Sequence, residues 1–238
     1  MPKSNYKLQN LHEEYYHNSP HLSHNQKRPA SSQVFFDGLL LCESEIYRVR
    51  RKRHEHIYNR SFHTFYRIVY SYVARAGIDV LADVRAFPAS RRFPQFNQDS
   101  LKKSLAAHDI EYEYLPLLAG RRNKSQSVQE VLNASWENQS FHNYADYTLT
   151  DDFQKGIQQL TQIARDKRTA YCCSERHPSR CHRLIISNWL AAHDWSVYHI
   201  ISQGDDVKIV SHELGQWGAM PIIEEDGAVV YPKLGNDS

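Results

Sequence analysis

Glycine is scarce in this chain. There are nine glycines among 238 residues, and none is gathered into the Gly-rich turn that cradles phosphate in nucleotide-binding loops. A dinucleotide fingerprint and a Walker-type loop are therefore both excluded. Cysteine is scarcer still: Cys42, Cys172, Cys173 and Cys181 are too few for a disulfide scaffold, and two of them are adjacent, a poor arrangement for pairing with each other. Reduced thiols in a cytosol fit that usage better. Long apolar runs are missing as well. Nothing approaches the roughly 18 uninterrupted apolar residues of a membrane helix, and residues 1–27 lack the apolar core of a signal peptide. The chain is expected to be soluble, cytoplasmic and without a membrane partner. Net charge is close to absent at +2, so attraction to phosphate must come from local clusters of Lys and Arg.

What is present suffices for a core. Apolar residues make up 41% and aromatics 12%, which predicts one main globular domain with extensions. Residues 1–33 are rich in His, Asn, Ser and Pro without apolar periodicity, and read as a disordered tail. Residues 34–61 read as an atypical basic connector or first-strand region. This stretch holds the apolar run Val34–Leu41 and a basic run with Arg48, Arg50, Arg51, Lys52 and Arg53, either a solvated connector or a phosphate contact.

Residues 62–232 read as an α/β domain, and 233–238 as a second tail. Phe62, Phe65, Ile68, Val69 and Val73 share a helical face, and Ile78–Arg85 follows as a buried strand with charges at its end. Asn97 is placed to cap a helix carrying Leu101 and Leu105, and Tyr112–Leu115 reads as the next strand. A helical stretch around Ser127–Trp136 and an aromatic patch of Phe141, Tyr144 and Tyr147 lead to an amphipathic helix with Phe153, Ile157, Leu160 and Ile163. Thr169–Cys173 is a strand, Arg180–Ala192 a helix and Val197–Ile201 another strand. Such alternation predicts a mainly parallel sheet with helices on both faces, a Rossmann-like three-layer arrangement.

Ligands of open α/β sheets sit beyond the carboxyl ends of the strands. Two segments end there. Asp83-Val84-Arg85 leads to Ser90-Arg91 and Asn97, and Cys173-Ser174-Glu175 leads to Cys181-His182-Arg183. Acids beside arginines suit an anionic or phosphorylated ligand, with a carboxylate left for acid or base work. Glu175, Asp83, Cys181 and His182 are accordingly the catalytic candidates. Arg85, Ser90, Arg91, Asn97, Cys173 and Arg183 are the ligand-binding ones. Buried pairs tying strand to helix would use the same residue types without any ligand. Cys181, in the first turn of a helix beside an imidazole and a guanidinium, is a candidate nucleophile. Cys173, Cys181, His182 and His177 are of metal-ligating type, but their spacing lacks the short Cys hairpin of structural zinc sites and no metal is assigned. Tyr112, Tyr114 and the Phe141–Tyr147 aromatics are of base-stacking type, although such spacings more often build core or rim.

Those segments carry a resemblance. With Pro88, Phe96-Asn97, Ile110 through Leu115-Pro116, Gly120, Tyr144-Ala145-Asp146-Tyr147, His212-Glu213-Leu214 and Asp226-Gly227 to Tyr231-Pro232, residues from about Phe62 to Pro232 resemble the domain-of-unknown-function family number 488. The resemblance implies an α/β architecture and a shared pocket, and supplies no reaction. Such proteins usually begin with a strand ending in Thr-Ile-Gly-His-Ser. The nearest segment here is His54–Ser61, with His56 in place of that histidine and no glycine. The expectation is an enzyme, a hydrolase or transferase, acting on a nucleotide or nucleic-acid component. A non-enzymatic nucleic-acid-binding or scaffold module and a metal-binding protein stand as alternatives. The sequence names no cofactor and no protein partner.

Overall fold

The computed structural model describes residues 34–39, 77–91, 93–175, 177–203 and 206–233. The tail (1–33), the basic run Arg48–Arg53, the segment His54–Ser61 and the helix read from Phe62 to Val73 lie outside the described residues.

Six strands form one sheet: β1 (Val34–Leu39), β2 (Val80–Asp83), β3 (Glu111–Tyr114), β4 (Thr169–Cys172), β5 (Ser196–Gln203) and β6 (Asp206–Ser211). Their order is β3-β2-β4-β1-β5-β6. All neighbours run parallel except β5 and β6, which pair antiparallel. A mainly parallel sheet with helices is thus present. The reason is visible in β2 and β4, where every residue is buried, as strands covered on both sides require.

Alternation along β2 sorts the helices. Leu81 packs with Leu101 and Leu105 of α1 (Gln98–Ala106), whereas Ala82 packs with side chains of α3 (Asp151–Asp166) and α4 (Arg183–Ala192). Helix α3 forms for local reasons. Thr150 Oγ1 caps Phe153 N, Asp151 and Asp152 complement the amino end of the helix dipole, and Phe153, Ile157, Leu160 and Ala164 make the buried stripe.

One element lies elsewhere than the resemblance sought it, and three differ from the sequence reading. Val34–Leu39 lies between β4 and β5, so the first strand of the sheet is upstream of His54–Ser61, where the resemblance sought it. The aromatic patch belongs to a helix, α2 (Gln139–Thr148), capped by Asn138 Oδ1 accepting from Ser140 N at 2.9 Å. Residues around 127–136 form only a 3₁₀ turn at Glu130–Asn133. There the Asn133 side chain is drawn inward to donate to Asp146 at 2.8 Å and to accept from Tyr231 N at 3.2 Å. Helix α4 begins at Arg183 rather than Arg180, because Pro178 starts a separate 3₁₀ turn, Pro178–Arg180, after which Cys181 is extended.

A buried polar chain ties the C-terminal segment to α4. His199 Nε2 donates to His212 Nδ1 (2.8 Å), His212 Nε2 to Asn188 Oδ1 (3.0 Å), and Asn188 Nδ2 to Tyr231 Oη (3.1 Å). Among the described residues no helix is long and apolar enough to cross a membrane.

Candidate functional site

Strands β2 and β4 are neighbours, with Asp83 level with Cys172. The chain leaving β2 turns to α1 on one face of the sheet, and the chain leaving β4 turns to α4 on the other. Neighbouring parallel strands whose connections diverge in this way leave a crevice at their carboxyl ends.

The β2 side of that crevice is closed by its own residues. Asp83 is 0% exposed. Its carboxylate accepts from Arg85 Nε at 2.8 and 3.0 Å, from Arg85 Nη2, and from Tyr112 Oη at 2.7 Å. Arg85 Nη1 donates onward to the Phe96 carbonyl at 2.9 Å, tying β2 to the start of α1. Burial, and then the bond to Asp83, push the Tyr112 phenol up. Asn97 occupies the N-cap position of α1, but its side chain does not cap the helix. Its Oδ1 accepts from Ser90 N at 2.6 Å, while Ser90 Oγ accepts from Phe93 N at 3.0 Å. Ser90 and Asn97 therefore lock the β2–α1 loop.

The β4 side is built differently. Cys173 follows the last residue of β4, and the turn at Pro178 returns the chain so that Cys181 and His182 face it. Cys173 Sγ lies 3.9 Å, and Cys181 Sγ 3.7 Å, from His182 Nδ1. The three donor atoms lie within 4.8 Å of one another. Arg183, 0% exposed, donates from Nε to Cys181 Sγ at 3.1 Å and from Nη2 to the Glu175 carbonyl at 2.7 Å. Burial alone would raise the Cys181 thiol. The hydrogen bond with Cys173, and then the charges of Arg183 and His182, outweigh burial and hold it well below the usual thiol range. Cys173 is pushed up, by that same bond and then by burial. The neighbours, and not a place in a helical turn, are what lower the Cys181 thiol. Between the two sides, Cys172 is raised first by burial and then by Asp83, with Arg85 and Arg183 opposing.

His182 is clamped. Its ring lies 4.8 Å from the Tyr144 ring, centroid to centroid, and Tyr144 is itself anchored by its hydroxyl to the Leu118 carbonyl at 2.8 Å. Gly120 lies against the same ring, where a Cβ would collide with His182 Nδ1 and come within 2.7 Å of its Cγ and Cε1 atoms. His182 Nε2 is buried without a hydrogen-bond partner among the described residues, so the ring's polar contacts lie on the Nδ1 side.

The structure therefore brings Cys173, Cys181, His182 and Arg183 into one cluster, and Asp83 with Arg85 into the adjoining one. Arg91 and Glu175 are exposed, and Glu175 joins the cluster only through its backbone carbonyl, which accepts from Arg183. For several relevant residues the sequence gives a motif or an aromatic type and no place in the site. Gly120 and Tyr144 orient the imidazole, and Phe87, 68% exposed, lies in the β2–α1 loop with the Arg121 guanidinium 5.3 Å from its ring centroid. The available signal was a glycine in a glycine-poor chain, followed directly by Arg121-Arg122.

Fold and site together define an α/β protein with a thiol and imidazole centre between two diverging parallel strands. Within that class the chain belongs to the DUF488 family, whose model, described as "Domain of unknown function DUF488", matches residues 66–190. The match takes in β2 through α4 and both sides of the crevice, and stops short of the C-terminal motifs from His212 onward. No curated protein and no solved structure matches the chain.

Proposed function

We propose that this chain is a cytosolic enzyme of Rossmann-like three-layer architecture, a hydrolase or transferase. Its ligand is phosphorylated, of the nucleotide or nucleic-acid class, and sits between β2 and β4. One observation carries the reading: the thiol and imidazole cluster lies where the loops after β2, β3 and β4 gather, and those loops also present exposed Phe87, Arg91 and Arg121. An exposed aromatic face beside cations suits a base and its phosphate. In this reading Phe87 stacks on the base, Arg91 and Arg121 meet the phosphate, and Cys173, Cys181 and His182 form the reacting centre. Glu175, on the exposed rim, supplies acid or base. Asp83 and Arg85 are buried and engage each other, and Arg183 is buried against Cys181 and the Glu175 carbonyl, so in this reading they position the centre without touching ligand, and Ser90 and Asn97 hold the loop.

Calorimetric titration and turnover assays with a panel of nucleotides and short DNA and RNA test it. Phe87→Ala, Arg91→Ala and Arg121→Ala should each weaken binding about tenfold, the equivalent of about 1.4 kcal/mol. No binding by any member, or binding indifferent to all three substitutions, would sink the reading. Binding without turnover that falls steeply with salt and vanishes when Arg48–Arg53 are neutralised would replace it with a nucleic-acid-binding module.

A further inference from the structure

Sequence spacing argues against a metal at Cys173, Cys181 and His182, because no short Cys hairpin is present. The fold supplies the convergence by another route. The strand end delivers Cys173, the Pro178 turn returns Cys181 and His182, and the imidazole Nδ1 stands 3.9 and 3.7 Å from the two sulfurs. Around a tetrahedral zinc ion, bonds of about 2.3 Å to sulfur and about 2.0–2.1 Å to nitrogen set a sulfur-to-nitrogen edge of about 3.6 Å. The observed separations are only slightly longer than that edge.

From this geometry we infer that Cys173, Cys181 and His182 are the ligands of a thiophilic divalent cation, of which zinc is the first candidate, with one coordination position open toward the crevice. Two thiolates and an imidazole select a zinc-class ion over magnesium or calcium, which take oxygen ligands. Among the described residues, these three form the one group of at least three His, Cys, Asp or Glu side chains suited to an ion. Three protein ligands, rather than four, is the count of a centre that keeps a place for water or substrate. Cys173 and His182 are partly exposed while Cys181 is buried, which puts the open position on the solvent side.

Two features of the surroundings suit such a centre. Arg183 Nε donates to the Cys181 sulfur at 3.1 Å, the outer contact that steadies a metal-bound thiolate. Tyr144 and Gly120 fix the His182 ring so that Nδ1, and not Nε2, faces the sulfurs. The role of the open position, to receive a water or a phosphoryl oxygen, rests on the function proposed above. The site itself does not.

The test uses the full chain purified without chelator, followed by metal analysis and titration of the stripped protein with Co²⁺. One equivalent of zinc or of cobalt is expected. The cobalt form should show sulfur-to-cobalt charge-transfer absorption with tetrahedral visible bands, both bleached by one equivalent of zinc. Cys181→Ser and His182→Ala should each weaken loading by about a hundredfold or more, while His177→Ala, whose imidazole is engaged by Ser179, should load like the wild type. Circular dichroism separates a lost site from a lost fold, and the wild-type spectrum decides the matter even if both variants unfold. A folded wild type without the charge-transfer absorption overturns the inference, as does a band that persists in folded Cys181→Ser. Nucleotide turnover by a folded wild type that takes up neither zinc nor cobalt would overturn the metal site and leave the proposed function standing. Stoichiometric loading with no nucleotide binding would do the reverse.

Discussion

The two sides of the crevice stand level on adjacent strands yet treat their polar groups in opposite ways. At the end of β2 each donor finds an acceptor within the protein: Arg85 and Tyr112 converge on Asp83, and Arg85 reaches on to the Phe96 carbonyl. At the end of β4 two thiols and an imidazole meet only through long sulfur contacts of 3.7 and 3.9 Å. Residue type alone does not distinguish the two, since both mix ionisable groups. Satisfaction does. A closed carboxylate and guanidinium network is framework, and a set of nucleophilic atoms held together through weak sulfur contacts is a place for chemistry.

The sharpest way to break this contrast is Asp83→Ala. It leaves the Arg85 guanidinium buried and uncompensated, and should cost about 3–5 kcal/mol in urea unfolding. A loss under about 1 kcal/mol would mean that the β2 side is not framework. Gly120→Ala acts on the other side. The new methyl collides with the His182 ring, and overpacking of this kind should cost about 1–3 kcal/mol. Unlike Asp83→Ala, it should also abolish cobalt absorption in the fraction that remains folded. The smallest effect on stability belongs to Glu175→Gln, an exposed change expected to shift unfolding by no more than about 0.5 kcal/mol. Its consequence should appear in turnover with nucleotide and not in cobalt loading, which would separate the rim from the centre.

Much of the sheet is legible in the sequence because β2 and β4 are buried at every residue and read as short, mostly apolar runs, Val-Leu-Ala-Asp and Thr-Ala-Tyr-Cys. Helix α3 is legible for its capped, periodic stripe. Strand β6 is not, since Asp206–Ser211 carries charged and polar residues, as an edge strand does. Helix α2 hides because its aromatics look like a surface patch until Asn138 is recognised as a cap. For the site, Cys173, Cys181, His182 and Arg183 are identifiable by type and by their place after a strand. Their convergence is not, because it depends on the Pro178 turn and on Gly120, which comes from a distant segment. Asp83 and Arg85 look like ligand contacts because buried ion pairs and anion sites draw on the same side chains, and only burial tells them apart.

The position of β1 has a practical consequence for anyone handling fragments of this protein. A polypeptide trimmed to the family match, residues 66–190, would lose Val34–Leu39 and with it the strand seated against β4, and would lose β5 as well. The strand that leads into Cys173 would become a bare sheet margin with unpaired backbone groups, prone to stacking against other chains. Such a fragment should aggregate or misplace its thiols, and inactivity measured on it would report on the truncation alone.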